Sequence, residues 1–105
     1  MLDMKTIKPL CKDDCIVLTA HVDEMMNKRS VLYSDMVIAI SNGEIIEQYE
    51  NDKPFPSCLM LGYTLDNRPL HIVISISSGV IWVITTYYPT LDRWELDYKT
   101  RKAAK

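Results

Sequence analysis

Two histidines, three cysteines and a scatter of arginines are the residues of this chain whose types could do chemistry. His71 can exchange a proton near neutral pH, and it sits in the run Leu70-His71-Ile72-Val73-Ile74, which reads as a strand. His21 follows Cys11-x-x-x-Cys15, but that spacing is looser than a zinc knuckle and no second pair exists, so neither a metal nor another cofactor is expected. An odd number of cysteines behind a start with no continuous apolar stretch reads as reduced thiols rather than a disulfide framework. No catalytic signature stands out from these residues alone. What they could do depends on the elements that hold them.

The strongest element signal runs from Ser57 to Tyr88, a three-stranded antiparallel meander. Asp66-Asn67 and Ser78-Gly79 each read as two-residue hairpin turns made of residues that tolerate positive φ. These turns predict that partner numbers sum to 133 in the first hairpin and 157 in the second. One face then collects Leu59, Leu61, Tyr63, Leu70, Ile72, Ile74, Ile76, Ile81, Val83, Thr85 and Tyr87, an apolar surface for helices to pack on. The other carries Met60, Gly62, Thr64, His71, Val73, Ser75, Trp82, Ile84, Thr86 and Tyr88. In this register Gly62 and Thr86 lie on either side of His71. A strand glycine there marks close approach of a ligand or another backbone, or a twist or bulge.

Asp3 to Lys12 reads as a short helix begun by Asp3 and disturbed by Pro9. A better one spans Ala20 to Arg29, with Thr19 as cap, acids near its start and Lys28 and Arg29 at its end. A third follows Ser34 as N-cap and stops at Asn42-Gly43. Ile45 to Tyr49 is a first strand, and Glu50 to Pro56 a polar loop. The expected fold class is α+β: N-terminal helices packed on one face of a roughly four-stranded antiparallel meander, with a short C-terminal helix or tail. One domain is expected over residues 1–105, with 1–14 and 102–105 as flexible ends.

The formal charge of −2 conceals an asymmetry. Residues 1–92 hold 7 Lys/Arg against 12 Asp/Glu, and residues 93–105 hold 5 against 2. An acidic body works against general nucleic-acid binding, whereas the basic end suits phosphates or an acidic partner. No apolar window long enough to span a bilayer is present, and a cytoplasmic protein without membrane association is expected.

The runs Pro56-Ser57-Cys58-Leu59-Met60-Leu61-Gly62-Tyr63-Thr64, Arg68-Pro69-Leu70-His71-Ile72-Val73, Val83-Ile84-Thr85-Thr86-Tyr87 and Arg93-Trp94-Glu95, with Leu18-Thr19-Ala20-His21 and Asn42-Gly43-Glu44 before them, resemble small prokaryotic proteins of domain-of-unknown-function family 4258. The resemblance covers roughly Ile16 to Arg101. It implies a fold akin to the RelE/ParE and BrnT-like toxins and a toxin-like role in a toxin–antitoxin pair, with a small antitoxin as partner. Ribonucleases of that superfamily hold messenger RNA on the sheet face opposite the helices. Such metal-independent cleavage needs an acid/base pair and cations against the phosphate. His71, Tyr88 and Arg93 are the catalytic candidates, and Arg68, Trp82, Thr86 and Arg101 the substrate-binding ones; His21 and Arg29 could join only from the sheet edge. One position departs from the family pattern, which commonly has an arginine where this chain has Met25. The competing expectation is a non-enzymatic module whose open face, with Met60, Val73, Trp82 and Ile84, docks an antitoxin-like protein or a second copy of the chain. Non-catalytic RNA binding, by stacking on Trp82 and Tyr88, ranks behind both because the cations are few.

Overall fold

A computed structural model describes residues 1–103; part of the expected flexible end at 102–105 therefore lies outside the described residues. The described residues fold into three helices, two short 3-10 turns and a five-stranded sheet. The elements are α1 (Met4–Ile7), β1 (Ile16–Val17), α2 (Ala20–Lys28), α3 (Tyr33–Asn42), β2 (Glu44–Tyr49), β3 (Ser57–Tyr63), β4 (Pro69–Ser77) and β5 (Val80–Tyr87). Their order across the sheet is β1-β5-β4-β3-β2. The sheet is mixed rather than wholly antiparallel, because β1 pairs parallel with β5, Ile16 opposite Ile81 and Val17 opposite Trp82. With β1 and β2 on opposite edges, the α2–α3 connection must cross one face, and that face carries the main core.

Local chemistry sets the helix ends. Asp3 starts α1 by accepting from the Thr6 amide, and Pro9 falls in the first 3-10 turn, where a missing N–H costs little. Thr19 caps α2 by accepting from the Val22 amide at 3.2 Å. α3 begins two residues earlier than its sequence suggested: Ser34 lies inside the helix, and Leu32 takes the N-cap position without a side-chain bond. The first residues are docked rather than free, with Ile7 fully buried and the Leu2 carbonyl accepting from Gln48.

The Ser78-Gly79 turn forms as expected, both residues at positive φ (54° and 74°), and sets the sum of 157 through the near half of β4–β5. The first hairpin differs. Its loop has three residues, Leu65-Asp66-Asn67, closed by the Thr64 amide on the Arg68 carbonyl at 3.0 Å, with Asn67 at φ 61°. The partner sum is therefore 132, which turns β3 over: Cys58 and Met60 join the helix-side core, whereas Leu59 and Leu61 face away from it. A bulge at Ile84 then moves the far half of β5 to a sum of 158, so that Tyr87, not Thr86, pairs with His71. Of the residues expected to meet the helices, Leu70, Ile72, Ile74, Ile76, Ile81 and Val83 do so. Leu59, Leu61 and Tyr63 stand on the other face, with Thr85 and Tyr87 beyond the bulge.

Gly62 accordingly lies opposite Leu70, not beside His71 on an open face. A Cβ at this position would stand 1.8 Å from the Ala39 carbonyl oxygen and 2.5 Å from its carbonyl carbon. The absent side chain lets α3 rest directly on β3, bringing Met36, Ala39 and Ile40 into the core fully buried.

Candidate functional site

The sheet face away from the helices has two halves. The half over β2, β3 and the start of β4 is covered by residues 89–101. This segment forms neither the expected helix nor a loose tail, but an irregular strap that folds back on itself in a bridge between Trp94 and Arg101. Asp97 shapes its tip by accepting from the Lys99 and Thr100 amides at 2.9 and 3.0 Å. Trp94, 3% exposed, packs with its ring edge-on to the His71 ring at 4.5 Å and beneath the Arg101 guanidinium at 4.7 Å. Arg101 makes a two-pronged ion pair with Glu47 of β2 at 2.8 and 3.0 Å, and Lys99 reaches Glu44 at 2.6 Å. The pair with Arg101 holds the Glu47 carboxyl below its usual range. Burial first, and the bond to Glu47 second, push the Tyr49 hydroxyl up to about 12.

His71 is on the face opposite the helices, as expected, but that face is closed over it: the residue is 0% exposed. Its Nε2 lies 2.8 Å from the Tyr98 carbonyl, which can only accept, so Nε2 carries the proton. Nδ1 then accepts from the Tyr87 hydroxyl at 3.1 Å. Both ring nitrogens are thus satisfied in the neutral form. Burial is the larger influence on the imidazole and lowers its pKa, with the Tyr98 carbonyl opposing it. The unfolded chain takes up this proton near pH 6.5, and the folded protein resists it until lower pH. Stability from this group is therefore complete above about pH 6.5 and is lost as pH falls below it. Urea unfolding from pH 7.5 to 5 should show that decline in the wild type, and His71→Gln should flatten it, exposed His21 remaining in both.

The remaining candidates are not gathered around His71. Tyr88 packs against the helix-side core under the Arg68 guanidinium, 3.7 Å from its ring centroid. Arg93 is exposed on the strap. Thr86 is buried and donates to the His71 carbonyl, a backbone role. Arg29 secures the free edge of β5, donating to the Thr86 carbonyl at 3.0 Å and the Thr85 hydroxyl at 3.1 Å. Met25 accepts from the same Thr85 hydroxyl. Tyr87 and Glu47 were missed in the sequence, because the bulge and the distal strap that give them their partners leave no periodic signal.

The other half of the face is open. Trp82, Ile84 and Phe55 are 39, 41 and 47% exposed and surround a groove of about 410 Å³. One wall is the β2–β3 loop, tied down by the Ser75 hydroxyl on the Pro56 carbonyl and the Ser57 hydroxyl on Asp52. The other is the first turn of α2, with Thr19, His21 and Val22. The groove is predominantly apolar; Lys53 and His21 contribute its basic lining. Of the expected catalytic and substrate-binding residues only Trp82 belongs to it, joined by Ile84 of the expected docking face and by His21 from the edge, while Phe55 and Lys53, set in a loop that reads simply as polar, were not anticipated.

Helices on one face of a mixed sheet, and a second face half strapped and half grooved, define a small α+β protein with an open apolar groove. The family model for the domain of unknown function DUF4258 matches residues 18–88, and the chain belongs to that family. The match takes in every residue lining the groove. No curated protein and no solved structure was found to match. Among the described residues no helix is long and apolar enough to cross a membrane.

Proposed function

We propose that the chain is a protein-interaction module that docks an antitoxin-like partner or a second copy of itself through the open half of its sheet. The observation that carries this reading is the groove, where three large apolar side chains are exposed around one concavity while the proton-exchanging His71 is sealed. The second reading, a toxin-like ribonuclease, draws on the Tyr87–His71 hydrogen bond, a pair suited to proton transfer once the strap lifts.

Inducible expression in bacteria separates the two. The docking module leaves growth and transcripts intact in wild type and His71→Ala alike; growth arrest with new transcript ends that disappear in His71→Ala establishes the nuclease instead. For docking itself, sedimentation of the purified chain should show self-association, or a co-purified partner should be identified and the complex rebuilt from pure components. Either complex should be abolished by Ile84→Lys. A complex that Ile84→Lys leaves intact removes the groove from the interface.

A further inference from the structure

We propose that the groove takes an acidic segment of a partner protein, with a bulky apolar side chain seated over Trp82 and Ile84 and a flanking carboxylate between Lys53 and His21. This specifies the docking reading above and rests on it. Charge is the first argument. Residues 1–92 carry 12 acidic side chains, yet none lines the groove, whereas Lys53 and His21 enter from opposite walls. Among the described residues neither of the two is held in an ion pair, unlike Lys28, Lys99 and Arg101. The Lys53 ammonium is therefore open to a carboxylate in the groove, and the His21 imidazole can hydrogen-bond it from the opposite wall.

The second argument distinguishes a protein segment from a small acid. A pocket for a small molecule encloses most of its ligand, but here Phe55, Trp82 and Ile84 each keep more than a third of their surface in water. A chain that enters and leaves the groove covers that rim; a small ligand on the groove floor would leave it wet. The division of labour follows. Rim charges screened by solvent add little affinity but select and steer the partner, and the apolar anchor supplies the binding free energy.

A phage-displayed library of random peptides, selected on the wild type and counter-selected on Ile84→Glu, tests this directly. Both Ile84 and Lys53 are exposed, so the variants fold, and thermal melts verify it. The enriched peptides should carry Trp, Phe or Leu beside Asp or Glu. Fluorescence polarisation with the strongest of them should show binding lost in Ile84→Glu. Lys53→Glu should weaken it by about tenfold at low salt, with the difference shrinking as salt is raised, and the remote Lys28→Glu should leave it unchanged. Enrichment of basic or uncharged peptides, or a Lys53→Glu variant that binds as well as wild type, overturns the acidic-segment proposal and leaves the docking reading in place. Failure to recover any peptide whose binding depends on Ile84 likewise overturns the acidic-segment proposal, whereas the docking reading falls only if sedimentation and co-purification show no complex that Ile84→Lys abolishes.

Discussion

Gly62→Ala lowers stability by about 3 kcal/mol or more, a drop in Tm of roughly 15 °C for a domain of this size. The new methyl meets three backbone atoms of Ala39 at 1.8, 2.5 and 2.8 Å, so no side-chain rotation can accommodate it. α3 must lift from β3, and the fully buried Met36 and Ile40 lose their contacts with it. Set against a total stability of about 5–15 kcal/mol, that loss brings the protein close to unfolding at moderate temperature. Gly79→Ala is the informative control. A Cβ there meets nothing within 4 Å, and only the φ of 74° opposes it, a cost of about 1–2 kcal/mol. Urea and thermal unfolding of the two variants therefore separate a steric penalty from a conformational one. Equal losses would mean that the closeness of α3 to β3 is not what Gly62 provides.

Trp94→Ala is expected to cost about 3–5 kcal/mol, the range for an aromatic removed from a packed site. The indole is the anchor of the strap, in contact with His71 below and Arg101 above, and the two surface ion pairs to β2 cannot hold the segment without it. Its loss should free residues 89–101, admit water to His71 and remove the acid-side decline in stability that burial of the imidazole creates. Fluorescence provides a direct check, because Trp82 is half-open to solvent and Trp94 is enclosed: the variant should keep only the red-shifted component. Trp94→Phe should recover part of the stability by restoring an edge-on aromatic contact. An alanine variant with wild-type stability and an unchanged pH profile would show that the strap does not depend on this anchor.

Much of this fold can be read from the chain because local chemistry and tertiary packing agree at its punctuation points. Thr19 caps α2, Gly43 ends α3, and Ser78-Gly79 makes the hairpin that pairs β4 with β5. β3 was assigned to the wrong face for an identifiable reason. Cys58, Leu59, Met60 and Leu61 are all buried, so the strand has no polar side to betray its orientation, and only the turn could set it. Asp66-Asn67 suits a two-residue loop as well as the three-residue loop that forms, and one residue of difference turns the strand over. β1 is two residues long, too short for any alternation to register. The strap escaped notice for a related reason: it is irregular, and it reaches His71 through the carbonyl of Tyr98, a group every residue possesses. The groove shares that property, since Trp82 and Ile84 read as outward strand residues while their wall comes from a loop tied down by two serine hydroxyls.

The extra residue at Ile84 makes β5 serve two faces in succession. Before it the odd-numbered Ile81 and Val83 point toward the helices; after it the even-numbered Thr86 does. Any comparison with a relative whose last strand is regular must open a gap at this residue. Aligned without one, each later position of β5 is matched to a residue facing the wrong layer, and the tyrosine that meets the imidazole is equated with one that belongs to the core. Inheritance of function along this family should therefore be traced through structural position beyond Ile84, not through column number.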